Sequence, residues 1–582
     1  MELSGRAKRG CIIFFTFLFL SPFTFAAFAA LPPQILSDEN AAIYTQIFKL
    51  QDKENIAGAV ALQKQLSDPL LIPDVLEQRY MSKTYKTSAK EISEWMGKYY
   101  DHPGADRIYK MAKKRKIGVR APKLPSPVML TFDSIANSES WTRKKYSGET
   151  ERQIKSFKSS LRRGKTKNAR TLLQDKSFQK KLIPEDYGRL CGRIAFVYYA
   201  DGNFELARQF GRTAAAEKSE YGFWTMGLLS FKTDDFEKAQ KYFSDMLNID
   251  QVNGARKQEA LFWAGRAADA NDDKTAAKKF WKDAAARPQT FYGALAAAML
   301  GDIPKYEFFD REWGQDDVKE LMKTRYGIES LALLQIGERT RAETHLRYLI
   351  TNKASDQLLH AVHAIANTAE LPRASMQVSA LLRKRDITEI NPEVILSAQY
   401  PLPDWEPIGG WSIDRALLFA ITRQESGFKT NAKSRVGASG LMQIMPKTAR
   451  LVAKRQNMRM SDLDISNPEH NMFLGQQHIV DLLGNPLIEN NIIKMLVSYN
   501  AGPGTMTKWE KQFQTDDPLL YIESFPAFET RGYIKRVLSN LWLYRARLNQ
   551  PLTNIQDLAG GRWPRYESSD SFVGTIRAER EI

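Results

Sequence analysis

Between residues 156 and 300 the chain repeats itself, and the form of the repeat admits few folds. Gly202-Asn203-Phe204-Glu205-Leu206-Ala207 recurs 32 residues later as Asp234-Asp235-Phe236-Glu237-Lys238-Ala239. A wider echo accompanies it: Trp224, Gly227, Ala239 and Phe243 match Phe262, Gly265, Ala277 and Trp281, each shifted by 38. Small residues beside large ones at such intervals suit stacked helix pairs, because one pair cannot bury its apolar face alone and a stack can. The expectation is an all-α chain whose middle is an irregular helical superhelix. The repeated Trp and Phe positions then belong to its core.

The flanks are read the same way. From about Leu36 to Lys116 the pattern is helical, broken where Pro and Asp cluster, and a segment 30–120 is expected. Lys113 to Pro127 then carries three prolines and six basic residues with no period, so 121–155 reads as a basic, Pro-rich linker or loop. Residues 301–400 resume helical spacing, clearest from Ser330 to Ile350. Tyr400 to Trp411 is punctuated by prolines and glycines and marks a boundary. A compact mainly helical domain is expected over 401–550 and a mobile tail over 551–582.

The first residues carry Arg6, Lys8 and Arg9, then an apolar run to Phe25 and the small residues Ala26 to Ala30. That order reads as a secretory leader, 1–29, with cleavage after Ala29. The apolar run is too short for a permanent span, and no later stretch suits one. The expected location is the periplasm. Only Cys191 is left in the mature chain, in an apolar helical setting where an inert buried thiol is expected. The six His and two Cys form no ligand-spaced cluster, so neither a metal nor another cofactor is expected.

The formal charge of +17 falls to +15 once the leader's three bases and one acid are removed. A basic chain attracts polyanions. Nucleic acid is excluded as a partner, since no recognition motif occurs and an exported chain rarely meets it. Bacterial cell wall, with its carboxylate-bearing peptides, fits both export and charge. A solvated basic surface explains the charge nearly as well.

One acidic residue stands out. A helix is predicted from an N-cap at Ser412 through I-D-R-A-L-L-F-A-I-T-R-Q-E, and Leu418, Ile421 and Glu425 fall on its buried face. A buried, unpaired carboxylate tends to stay protonated. Gly427 can end the helix in a left-handed turn. Gly437-Ala438-Ser439-Gly440 then allows close approach to the backbone, and Pro446 opens a new helix. The plain alternative is a paired core acid beside a tight turn.

Four blocks weigh against that alternative: Q-E-S-G-F at Gln424, G-A-S-G-L-M-Q-I-M-P at Gly437, S-Y-N-A-G-P-G at Ser498 and E-T-R-G-Y-I at Glu529. In this order they resemble the lysozyme-like catalytic domain of soluble lytic murein transglycosylases. The upstream repeats, similar to tetratricopeptide arrays, resemble that family's superhelical region. The resemblance implies peptidoglycan glycan strands as substrate and Glu425 as the catalytic acid. Glu425 would then act as base on the muramic acid C6 hydroxyl, giving a 1,6-anhydro product without water. It also implies that Ser434, Gln443 and Met445 line sugar subsites, that Tyr499 lies beside the acid, and that Asn500 and Glu529 belong to the cleft. Arg531 is a candidate partner for Glu529, which would make that acid structural. The short P-I-G-G-W-S lead departs from the longer helical lead common in the family. Two rivals stay open: a non-catalytic wall-binding scaffold and a hydrolytic muramidase. Cell-wall synthesis or remodelling proteins are the expected protein partners.

Overall fold

The computed structural model describes residues 33–128, 144–249, 252, 254–385 and 392–570; the expected leader and the residues after 570 lie outside them. The described chain is all-α, with three isolated β-bridges and no strand. The repeats form antiparallel helix pairs, among them Phe204–Ala216, Glu220–Lys232, Phe236–Met246, Gly254–Ala270 and Lys274–Ala285. The 38-residue echo has a direct cause. A Cβ on Gly227 would lie 2.5 Å from the Phe243 ring, and one on Gly265 would lie 2.5 Å from the Trp281 indole. Each large ring fills the space that a missing side chain leaves. Asn203, Asp235 and Asp273 cap alternate helices of the stack through side-chain oxygens, repeating the same start signal. Cys191 is buried here, and burial pushes its thiol up to about 12.

Helices between 38 and 114 pack against the helices Arg325–Gln335 and Arg339–Leu349 through polar ties. Asp74 accepts from His102 at 3.1 Å and His345 at 3.0 Å, and the other His345 nitrogen lies 3.0 Å from Glu329. Asp74, His102 and His345 are the only group of three metal-capable side chains so gathered among the described residues. Their geometry serves one another: Gly104 N–H donates to His102 Nδ1 at 3.0 Å, so the other ring nitrogen carries the proton given to Asp74. Burial alone would push His345 down, but Asp74 and Glu329 outweigh it and raise it to about 9.

Three expectations are corrected. The linker ends earlier than 155, because a helix spans Gly148–Arg162 with Ser147 as N-cap; residues 129–143 lie outside the described residues. Residues 302–314 form no helix and are pinned where Arg311 reaches Asp317 at 2.9 Å and the His360 carbonyl at 2.8 Å. Residues 551–570 are not a mobile tail. They contribute the helix Thr553–Ala559 and a buried Tyr566, and their polar groups hold Asp414 at the start of the helix Arg415–Ser426.

The superhelix and the segment after 401 share one continuous core. Phe291 stacks on Trp542 at 5.3 Å, and Tyr199 meets Ser524 at 2.7 Å. Lys535 bridges Glu259 of the superhelix and Glu523 at 2.5 and 2.8 Å. Tyr292 donates to that same Glu523 at 2.5 Å.

Candidate active site

The helix bearing Glu425 runs from Arg415 to Ser426. Its N-cap is Asp414 and not Ser412, which instead bonds Gln476 and Gln477 of the helix Pro468–Leu483 at 3.0 Å each. Those two glutamines also hold the glycine-rich lead, since Gln476 donates to the Gly410 carbonyl at 2.8 Å. Asp414 is fully buried. Arg545 donates to one of its oxygens at 3.0 Å, and Ser569 N–H, Asp570 N–H and the Ser568 hydroxyl donate to the other at 2.7, 3.1 and 2.8 Å. The C-terminal segment thereby fixes the start of this helix.

Ala416 to Thr422 are buried against the long helix Phe528–Arg547. Glu425 follows on the same face, one turn after Ile421, and stays half-buried where the face opens. Gly427 ends the helix at φ 55, the left-handed cap expected of it. Phe428 continues at φ 63, a conformation bulky residues rarely adopt, with its buried ring beside Trp405 and Phe419. Backbone strain of this kind concentrates at functional sites.

The glycine-rich loop is clamped by a residue that sequence reading passed over. Asn471 is fully buried; it accepts from Met442 N–H at 2.8 Å and donates to the Ser439 and Ile465 carbonyls at 3.2 and 3.0 Å. Gly440 takes φ 80, and a Cβ there would fall 1.9 Å from the Asn471 amide. Gln443 is left-handed at φ 49 and donates to the Gly440 carbonyl at 2.8 Å, which leaves its Oε1 as an acceptor. Ser434 accepts from Ala438 N–H at 2.9 Å and tightens the same loop. Met445 caps the next helix and is 40% exposed.

Around the acid, burial pushes Glu425 up to about 7; Glu529 adds to the rise and Tyr533 works against it. The Tyr533 hydroxyl is buried and has no partner in hydrogen-bond geometry, so its approach to Glu425 is close but unbonded. It sits in the fourth block, yet nothing local marked it as a neighbour of the acid. Tyr499 also lies within electrostatic reach of Glu425, but its hydroxyl donates to the Met442 carbonyl at 2.8 Å. Asn500 accepts from Thr530 at 2.8 Å and ties two helices. Arg536 donates to Gln424 at 3.0 Å, beside the acid.

Arg531 does not pair with Glu529. Two residues apart on a helix, they face different ways. Glu529 is exposed, whereas Arg531 is buried over the Phe196 ring at 3.9 Å and donates to the Phe525 carbonyl at 2.6 Å. The aspartates of the S-D-L-D turn are occupied elsewhere: Asp462 pairs with Arg459 at 3.0 Å and Asp464 accepts from Ser466 at 2.7 Å. A proton-bearing carboxyl at a helix end, facing a rigid loop rich in backbone groups, suits donation to a glycosidic oxygen.

Comparison with known proteins agrees with this geometry. Residues 407–522 match the transglycosylase SLT domain. The soluble lytic murein transglycosylase of Escherichia coli K12 is 36% identical over 159 residues, which is 26% of this chain and 24% of that protein. The Salmonella typhimurium protein of the same name is 36% identical over 154 residues, 25% of this chain and 23% of that one. These matches span about a quarter of the relatives' length. The fold agrees further: the 70 kDa soluble lytic transglycosylase of Escherichia coli superposes with a TM-score of 0.55 at 18% identity, covering 91% of this chain and all of that one. The lytic transglycosylase of Pseudomonas aeruginosa gives 0.54 at 16% identity, over 92% of this chain and 90% of that one. Residues 407–522 thus carry a transglycosylase SLT domain, and the chain as a whole shares its fold with soluble lytic transglycosylases.

Proposed function

We propose that this chain is a lytic transglycosylase of the periplasm that cleaves the β-1,4 bond between N-acetylmuramic acid and N-acetylglucosamine in peptidoglycan and forms 1,6-anhydromuropeptides. The observation that carries the reading is Glu425, whose carboxyl burial raises to about 7, at the end of its helix. At that value a large share of the enzyme carries the protonated carboxyl near neutral pH, and the group is still acidic enough to give its proton away. Glu425 protonates the leaving oxygen, and an oxocarbenium-like centre develops at C1. The resulting carboxylate takes the proton of the muramic acid C6 hydroxyl, and O6 closes on C1. The proton count balances without water. Names of relatives support the reaction class.

Ser434, Gln443, Met445, Tyr499, Asn500 and Glu529 form the subsites around that bond. Gln443 Oε1 and the Asn500 amide are the polar groups their structural bonds leave available. Met445 offers an exposed apolar edge. Tyr533 and Asn471 are positioning residues, the first beside the acid and the second under the loop. Proteins of cell-wall synthesis or remodelling are the partners this role implies. Of the described residues, no helix is long and apolar enough to cross a membrane.

Glu529 supports one alternative. Exposed and within electrostatic reach of Glu425, it is a carboxylate that could activate water, as in a muramidase. Digestion of purified sacculi in ¹⁸O-labelled water separates the two. Anhydro products without label are expected; stoichiometric label at the new muramic acid end would establish hydrolysis instead.

A further inference from the structure

The superhelix does not carry its charge evenly. From Gly148 to Lys181 eleven Lys and Arg stand against three Asp and Glu, a net of +8 and nearly half of the chain's +17. From Pro184 to Arg287 sixteen of each sign cancel. The basic stretch forms the helices Gly148–Arg162, Thr166–Gln174 and Lys176–Lys181, which pack on one another and, through Thr166–Gln174, on the helix Pro184–Ala200. They open the stack.

The excess is written into the repeat itself. One turn recurs four times: the N–H groups of Lys165, Asn203, Asp235 and Asp273 each donate to the carbonyl five residues earlier, at 2.8 or 2.9 Å. The residue before each of them, Gly164, Gly202, Asp234 and Asp272, is left-handed. Four residues after each stands a buried alanine, Ala169, Ala207, Ala239 or Ala277. In the last three turns an Asn or Asp side chain caps the helix that follows, and Glu205 and Glu237 stand in the first turn of theirs. The first turn of the stack has Lys165 without a side-chain cap, and Lys167 where those glutamates stand. Cations at the amino end of a helix oppose its dipole, and a lysine there forgoes the cap bond. Both exchanges weaken the helix they begin, so its stability does not account for them.

Arg152, Lys155, Arg162, Arg163, Lys165 and Lys167 are exposed, and none of the six meets a carboxylate within ion-pair distance among the described residues. Two of the three nearby acids are engaged. Lys181 reaches Glu149 at 3.3 Å, and Asp175 accepts from the Ser177 and Phe178 N–H groups at 2.8 and 3.4 Å. Cations spread over two helices and the turn between them suit a surface of many anions better than one small ion. No large apolar side chain is exposed from 148 to 181, so nothing is offered for insertion among acyl chains.

We propose that this end of the superhelix docks by charge alone on the headgroups of an anionic phospholipid bilayer. Such a bilayer carries a phosphate on every anionic lipid, whereas a glycan strand carries carboxylates only on the peptides spaced along it. Attraction to a polybasic surface grows with the density of fixed charge. The expected export brings the chain to such a bilayer, and the docking is independent of the chemistry at Glu425.

The test is co-sedimentation of the chain starting at Ala30, past the expected leader, with two kinds of vesicle. One is phosphatidylcholine with about 30% phosphatidylglycerol, the other phosphatidylcholine alone. Binding to the anionic vesicles is expected to be at least ~10-fold tighter at low salt, with the advantage shrinking as salt rises. Arg162→Gln, Arg163→Gln, Lys165→Gln and Lys167→Gln together should weaken it at least ~10-fold. Changing the exposed Lys257, Lys278, Lys279 and Lys282 to Gln removes as much charge from the balanced stretch and should weaken it less than ~2-fold. If the first fourfold variant does not fold, Lys165→Asn with Lys167→Glu, which copies the later turns, should melt no lower than the parent and still bind more weakly. Equal binding of the two vesicles, or equal loss in the two fourfold variants, overturns the proposal. Loss of binding to purified sacculi with vesicle binding kept would assign the surface to the wall and overturn it as well. Failure of the parent to cleave sacculi would overturn the transglycosylase reading alone, since vesicle binding does not depend on turnover.

Discussion

Lys535 and Glu259 meet at 2.5 Å across the seam between the superhelix and the segment after residue 401, although 276 residues separate them in sequence. The lysine sits two residues beyond Tyr533 on the helix that flanks the acid, so the superhelix holds that helix by charge. Burial would raise the Glu259 carboxyl, but Lys535 and Arg256 outweigh it and hold it well below its ordinary value.

Removing Lys535 leaves Glu259 with Arg256 alone and takes the cation from the buried Glu523 as well. Lys535→Met is expected to cost about 3 kcal/mol. Chemical denaturation of the full chain measures it. The stabilisation belongs to a depressed carboxylate, so it is complete above about pH 4.5 and is lost as pH falls towards the folded value. A variant no less stable than the parent at pH 7 would show that the seam does not depend on this pair.

Glu425→Gln keeps shape and removes the transferable proton. Turnover of sacculi is expected to fall by about three orders of magnitude or more while far-UV dichroism is unchanged. Near-parental cleavage by the folded variant would remove Glu425 from the mechanism.

The same residue has a cost in stability. Its folded pKa of about 7 lies above the ordinary 4.5, so the folded chain binds the extra proton between those values and stability falls as pH rises through that window. Glu425→Gln should therefore be more stable than the parent by up to about 3 kcal/mol above pH 7 and equal to it below pH 4. Cleavage by the parent should decline on the alkaline side with a midpoint near 7, where the acid loses its proton. Melting curves and a pH–rate profile check the two halves, and a flat profile from pH 5 to 9 would contradict both.

His345 gives the opposite sign. Its folded value of about 9 exceeds the ordinary 6.5, so its contribution is whole below pH 6.5 and is lost as pH rises through 9. The helices between 38 and 114 should loosen from Arg339–Leu349 at alkaline pH. Hydrogen exchange in those helices should quicken between pH 7 and 10, beyond the intrinsic base catalysis seen in the superhelix. Parallel behaviour of the two regions would count against it.

Gly265→Ala tests the repeat. The added Cβ would lie 2.5 Å from the Trp281 indole, so the variant should lose about 1–3 kcal/mol. A thermal midpoint equal to the parent's would mean the stack has slack there.

Much of this protein was legible in its sequence because the deciding signals are local. The 32- and 38-residue echoes specify stacked helices, since a small residue and the ring that fills its place recur together. Glu425 could be put on a buried face because helical spacing carries it there from Leu418 and Ile421, and Gly427 could be named as the left-handed cap because other residues resist that backbone. The remainder depended on contacts between residues far apart. Tyr533 beside Glu425, Asn471 beneath the glycine-rich loop and Lys535 against Glu259 follow from how helices cross, which no periodicity encodes. The last segment lacks a period yet is held, because Asp414 needs its backbone N–H groups as donors. Local spacing set the helices and the place of the acid; tertiary packing decided what surrounds that acid, because burial and neighbouring charge exist only once distant segments meet.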